Sequence, residues 1–200
     1  FFDKYRPNSM SLDKQKGLFG ELYFIKKYLL TKYTIDEIIQ IWKGPEGSHH
    51  DFEFNRIAIE IKTTSNKEHK KFLISSEKQL DNLGLDNLYL CLFSLNVHEN
   101  EIGSSLIDLV NNLIDVMSIS DKFNFEIKLL KAGFNIHVSL DNMFRFTVSD
   151  NQFFEITSDF PKITNRNIPS GVGDLKYSVV VSACQPFRIE FNNKIGRAHV

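Results

Sequence analysis

The chain has 200 residues, a formal net charge of −1, and hydrophobic and charged fractions of 42% and 24%, all ordinary for a globular protein. Its length can bury a sizeable core without disulfides or structural metal, and its near-zero charge excludes a polycation that holds nucleic acid by bulk electrostatics. No stretch approaches the roughly 20 apolar residues that span a bilayer, and no signal-peptide pattern is visible. Eighteen phenylalanines against one tryptophan point to a core of rings and aliphatic side chains. Cys91 and Cys184 lie in the apolar runs LYLCLFSL and YSVVVSAC, which reads as two buried free thiols and a cytoplasmic setting. Charge is unevenly placed: residues 1–78 hold 14 Lys/Arg and 11 Asp/Glu, while the remainder is net acidic.

Both ends look foreign to a complete gene product. The chain opens on FFDKYRPNS without methionine, and IGRAHV (195–200) matches a translated sequencing adapter. The expected organisation is one domain over residues 1–194, N-terminally truncated, followed by a non-native tail over 195–200.

In chain order, residues 11–31 read as an amphipathic helix. Leu18, Leu22, Ile25 and Leu29 recur at spacings of four, three and four, while Lys14, Lys16, Lys26 and Lys27 mostly fall elsewhere. A short helix over Ile35–Trp42 follows, and GPEGSHH punctuates the chain with turn residues. DFEF and IAIEIKT, joined at Asn55-Arg56, read as a β-hairpin. FLIS (72–75) and LYLCLFSL (88–95) read as strands, the second apolar enough to be buried on both faces. Helices are expected over 103–117 and from a cap at Asp121 to Ala132-Gly133. From residue 135 the period becomes two, in MFRFTVS, then FFEIT after a Ser-Asp-Asn break, then LKYSVVVSA. The fold class is α/β with a β-rich C-terminal part.

The hairpin carries the chemistry. A two-residue loop at Asn55-Arg56 makes opposed residue numbers sum to 111, so Asp51 faces Glu60. Alternation puts Asp51, Glu53, Ala58, Glu60 and Lys62 on one face and Phe52, Phe54, Ile57, Ile59 and Ile61 on the other, core face. Two carboxylates then stand about 5 Å apart, where like charges destabilise a sheet. A divalent cation offsets that repulsion, since Mg²⁺ takes one or two carboxylates plus water and phosphate oxygens. Lys62, on the same face, can neutralise a scissile phosphate or position the attacking water. Glu21 projects from the apolar face of the first helix, where a bare charge is costly, between Gly17 and Gly20, which allow close approach. A solvated Glu-x-Lys on a strand is common by itself. The joint order of helix Glu, strand Asp and Glu-x-Lys is the discriminating feature.

These residues carry a family resemblance. GLFGELYFIKKYL, WKGPEGSHHDFEF, IAIEIKTTS, ISSEKQLD and DFPKITNRNIPSGVGDLKYSVVVSAC resemble the prokaryotic PD-(D/E)XK motif proteins of the restriction-endonuclease-like superfamily, over nearly all of the chain before the suspect tail. The resemblance implies a mixed central sheet flanked by helices and Mg²⁺-dependent DNA cleavage, with Mn²⁺ as an alternative cofactor. It also implies a place in a restriction or phage-defence system. Asp51 and Glu60 would be the metal-binding acids, with the Ile61 backbone carbonyl as a further ligand. Lys62 would be the catalytic lysine, and Glu21 the acidic residue that many members carry on the first helix. The motif's proline is absent, since His50 precedes Asp51.

Gln79 is a candidate for the phosphate near the metal, as a glutamine or lysine from the following helix is in some related nucleases. His50 and the basic stretch with Lys67, Lys70 and Lys71 are candidates for DNA contact. GVGD (171–174) lacks the Lys-Ser/Thr of a nucleotide loop and reads as a turn entering a strand. DNA is the expected partner, with RNA not excluded. Other defence proteins and a second copy of the chain are further candidate partners. The competing reading is a non-catalytic DNA-binding or assembly subunit that keeps the nuclease fold.

Overall fold

A computed structural model describes residues 10–65, 70–137 and 143–191. In chain order the elements are α1 (Leu12–Phe24), α2 (Ile35–Ile41), β1 (Phe52–Phe54), β2 (Ile57–Thr64), β3 (Lys71–Ile74) and β4 (Asn87–His98). They continue with α3 (Leu106–Ile114), α4 (Ile119–Lys131), β5 (Arg145–Glu155), β6 (Tyr177–Val180), α5 (Val181–Cys184) and β7 (Arg188–Ile189). A five-stranded sheet has the order β1-β2-β4-β5-β7, and β3 pairs with β6 in a separate two-stranded sheet. The larger sheet is mixed, as expected: β1/β2 and β5/β7 are antiparallel, and β2/β4 are parallel. Among the described residues, no helix is long and apolar enough to cross a membrane.

The chain divides into two compact units, made of the described residues of Phe1–Ile39 with Asn96–Thr147, and of Gln40–Leu95 with Val148–Val200. In the first, α1 starts at Ser11, whose side chain accepts the Lys14 amide. It continues as a widened turn over Ile25–Leu29, where the Leu30 amide reaches back five residues to the Ile25 carbonyl. Leu18, Phe19 and Leu22 of α1 are buried, as are Leu106, Leu109, Val110 and Leu113 of α3, and the two helices pack together. The Phe19 and Phe146 rings lie 4.8 Å apart. Gly17, expected to admit a close neighbour, has nothing within 4 Å of where a Cβ would stand. The α4 cap is Ser118 rather than Asp121: its hydroxyl donates to the Asp121 carboxylate and accepts the Asp121 amide.

The second unit holds the hairpin in the expected register, with Phe52 opposite Ile59, Glu53 opposite Ala58 and Phe54 opposite Ile57. Asn55 takes the left-handed conformation at φ 53° that the two-residue loop requires, which Asn tolerates better than most side chains. β2 then pairs in parallel with β4 over its whole length. Such a pair needs a crossover, and its described residues, 65 and 70–86, hold β3 and a run of turns rather than a helix. Both faces of β4 are covered, so Leu88 to Leu95 are all buried. Ala58, Leu88, Leu90, Leu92, Phe154 and Ile156 join Phe72, Ile74 and Val179 of the small sheet in one apolar cluster.

The C-terminal part departs from its expected strands in two places. MFRFTVS and FFEIT are not separated by a turn at Ser-Asp-Asn but run as the single strand β5. Polar side chains at exposed strand positions cost little, so composition alone marks no break there. VSAC is helical rather than extended, because the chain turns at Val181 after pairing with β3. Cys91 and Cys184 are both buried and free, as expected.

The hairpin register gives a direct test. Asn55→Gly is expected to leave the denaturation midpoint within about 0.5 kcal/mol of the parent, and Asn55→Val to cost about 1–2 kcal/mol, since a β-branched residue resists positive φ. Equal urea midpoints for the two variants would contradict this turn geometry.

Candidate functional site

Asp51 immediately precedes β1 and is held by its backbone. Its carbonyl accepts the amides of Lys43 and Gly44 at 2.7 and 3.0 Å, while the fully buried Trp42 bridges to Phe52. The hairpin register, continued one step past Phe52, sets Asp51 beside Glu60. In place of a ladder bond, the Asp51 carboxylate takes the Ile61 amide through Oδ2 at 2.7 Å. An aspartate at this step therefore fastens the start of β1 to β2.

Glu60 follows Ala58 on the same face of β2, and the two differ sharply in surroundings. Ala58 belongs to the apolar cluster, and Glu60, only 1% exposed, stands next along that face. Its Oε1 receives the Lys62 ammonium at 2.8 Å and the Gln79 amide Nε2 at 2.7 Å. Lys62, 13% exposed, also donates to Gln79 Oε1 at 3.0 Å. The same Gln79 oxygen accepts the Ser75 amide at 2.9 Å and the Ser75 hydroxyl at 3.0 Å. Gln79 thus clamps the acid and the lysine from successive turns over Ser75–Asp81, not from a helix. Ser75, expected only as the end of the FLIS strand, lies just past β3; the Ser-x-x-x-Gln spacing, which lets a side chain reach back four residues, was the available signal of its contact with Gln79.

One oxygen is left over. Glu60 Oε2 is buried without a hydrogen-bond partner, one of two such side-chain atoms among the described residues. An orphaned carboxylate oxygen in a dry setting costs free energy unless it is protonated or meets a cation. Burial, and then repulsion from Asp51, push the Glu60 carboxyl up to about 8, against the pull of Lys62. Burial likewise raises Asp51 to about 6, opposed by Lys62 and by the Ile61 amide. Two adjacent carboxyls, both reluctant to ionise, one with a free oxygen, fit a hard divalent cation that takes few protein ligands and fills its remaining positions with water or substrate oxygens. Among the described residues no group of three His, Cys, Asp or Glu side chains gathers as a metal site, so a closed zinc-type ligand set is not what this geometry offers.

The structure therefore brings Asp51, Glu60, Lys62 and Gln79 together in the second unit, with Ile61 at its centre. Glu21 lies on α1 in the first unit, half-buried. Glu53 shares the hairpin face in register but bonds Ser48 and His50. His50 is buried, not solvent-exposed: Nδ1 lies 3.4 Å from Glu53 and Nε2 has no partner. Lys70 pairs with Asp150 at 3.5 Å, and Lys71 is exposed at the start of β3. Lys67 lies outside the described residues.

A family model described as "Putative PD-(D/E)XK family member, (DUF4420)" matches residues 1–182. No match was found among curated proteins or among solved structures.

The raised carboxyls set a pH dependence. Glu60 moves from about 4.5 in the unfolded chain to about 8 in the folded one, and Asp51 rises from 3.8 to about 6, so between these limits the folded state holds more protons. The contribution of these two carboxyls to stability is then full near pH 4, falls as pH rises, and is lost by about pH 8. In EDTA the melting temperature should fall between pH 5 and pH 8, and Glu60→Gln should flatten that decline. A melting temperature that stays level or rises over this range in the parent would refute the buried-carboxyl assignment.

Proposed function

The chain belongs to this DUF4420 family, and from that premise we propose that it is a metal-dependent DNA endonuclease that hydrolyses phosphodiester bonds at the Asp51–Glu60–Lys62 cluster. The observation that carries the reading is the unsatisfied Glu60 Oε2 beside Asp51, with Lys62 held 2.8 Å from the other Glu60 oxygen. A Mg²⁺ or Mn²⁺ ion held by Asp51 and Glu60, with the Ile61 carbonyl as a further oxygen, would supply neutralisation of the phosphate charge that builds up during displacement.

The chain's own residues divide the remaining work. Asp51, pinned through its carbonyl by Lys43 and Gly44, keeps its carboxylate at Ile61 without needing the substrate to order it. Lys62 brings a positive charge to the phosphate and donates hydrogen bonds to a non-bridging oxygen or to the attacking water. Gln79 holds Lys62 and Glu60 in fixed relation, accepting from the ammonium through Oε1 and donating to the carboxylate through Nε2. The apolar cluster under Ala58 keeps bulk water from one side, which strengthens each of these interactions. Glu21 enters the proposal on its helix position and the family resemblance, and would orient a second cation or the first ion's hydration. A restriction or phage-defence role is the biological setting we propose.

Plasmid DNA incubated with Mg²⁺ should be cut by the parent chain and left intact in EDTA. Asp51→Ala and Lys62→Ala should each lower the rate by about 10²–10³-fold, the scale of losing one charge-stabilising group. Glu21→Gln, run alongside, separates a role at the metal from a structural one by its Mg²⁺ concentration dependence. Cleavage that survives Asp51→Ala and Lys62→Ala, or persists in EDTA, would overturn the site. A folded parent that binds DNA without cutting it would favour a non-catalytic assembly subunit instead.

A further inference from the structure

The segment between β5 and β6 takes no part in the chemistry above, yet it is fastened to the turn that carries Gln79. Asn82, three residues beyond Gln79, donates to the Ile156 carbonyl at 3.5 Å and accepts the Lys162 ammonium at 3.2 Å. Glu77, buried in the same turn, accepts the Leu175 amide at 3.2 Å. Tyr177 ties the segment to itself, its hydroxyl accepting the Ile163 amide at 3.0 Å and donating to the Ile163 carbonyl at 3.2 Å.

Inside this frame the backbone is ordered by a local cap. The Thr164 amide and hydroxyl donate to Asn167 Oδ1 at 3.2 and 2.9 Å, closing a single 3₁₀ turn over Asn165–Asn167 with Arg166 exposed at its centre. Lys162 and Arg166 therefore stand on one braced segment. They also feel each other: burial and the Arg166 charge lower the Lys162 ammonium, while Asp81 pulls it the other way. Among the described residues, no carboxylate lies at ion-pair distance from either. Two cations held near one another on an ordered turn, with Asp81 close enough to be felt but not at ion-pair distance, suit a polyanionic partner.

Their distance from the cluster is bounded by the chain. Gln79 touches Glu60 at 2.7 Å, and Asn82 touches Lys162 at 3.2 Å. Two residues, Leu80 and Asp81, separate Gln79 from Asn82, so Lys162 lies within roughly 20 Å of the carboxylates, a few nucleotides along a strand. We propose that Lys162 and Arg166 form a clamp for non-scissile phosphates of duplex DNA, tied by Asn82 to the turn that positions Gln79. This rests on the nuclease reading above and adds to it where the strand runs. Arg166 presents a planar fork to a phosphate, and Lys162 a point charge.

Salt dependence tests the clamp, because each phosphate contact contributes about −0.9 to the slope of log K against log salt. In the full chain carrying Lys62→Ala, binding of a short labelled duplex is followed by fluorescence anisotropy over a range of NaCl in Mg²⁺. Arg166→Gln, a change at an exposed side chain, should make the slope shallower by about 0.9, and Lys162→Ala with Arg166→Gln by about 1.8. In the catalytically intact chain the double variant should raise KM while kcat moves less than about threefold. If the double variant melts early, Arg166→Gln alone decides the question. A parent that cuts DNA, with a slope that Arg166→Gln leaves unmoved, overturns the clamp and spares the nuclease reading. A parent that neither binds nor cuts DNA overturns both.

Discussion

Two carboxyls that neither solvent nor cations of this chain fully satisfy set the character of the second unit. Glu60 is fully withdrawn from water, next to Asp51, with one oxygen shared by Lys62 and Gln79 and the other left without a partner. Burial and mutual repulsion both favour protonation, and the single lysine does not cancel them. Removing a charge from water is expensive, so such an arrangement persists only where the surrounding packing imposes it. In the proposed function a divalent cation would recover that energy on binding. That links the stability of the fold to the chemistry of the site.

The packing that imposes it is identifiable. β2 and β4 lie side by side in the sheet, and the face that carries Ala58 is covered by Phe72, Ile74 and Val179 of the small sheet of β3 and β6. Ala58 disappears into that apolar cluster, and Glu60, two residues further on, stands next along the face. The crossover between β2 and β4 supplies both the strand that covers this face and the turn whose Gln79 closes over the acid and the lysine. A helical crossover would have covered the sheet with a regular apolar face. Successive turns instead let Ser75, Gln79 and Asn82 each point a polar group to a different partner.

Charge is arranged in complementary pairs across this unit. One Glu60 oxygen beside Asp51 has no partner, and among the described residues neither Lys162 nor Arg166 makes an ion pair. In the proposed function a metal ion would meet the first and a phosphodiester backbone the second. The same turn, residues 75–82, touches both groups, so the proposed reacting centre and the proposed strand contact share one support.

Much of this was legible in the residues. Alternation and the Asn55-Arg56 loop determine the hairpin register, because a two-residue loop leaves a single way to oppose the strands, and Asp51 beside Glu60 follows from it. The apolar run of β4, the α1 periodicity and the family membership were readable for the same local reason. Gln79 was readable only as one candidate among several, since nothing local shows that a turn 17 residues beyond Lys62 folds back onto it. The course of β5 through Ser149-Asp150-Asn151, the helical VSAC and the burial of His50 were likewise decided by tertiary contact. Periodicity reports which side chains share a face. How dry that face becomes depends on what the rest of the chain lays over it, and that dryness, rather than the identity of the carboxylates, lifts Glu60 and leaves its Oε2 without a partner.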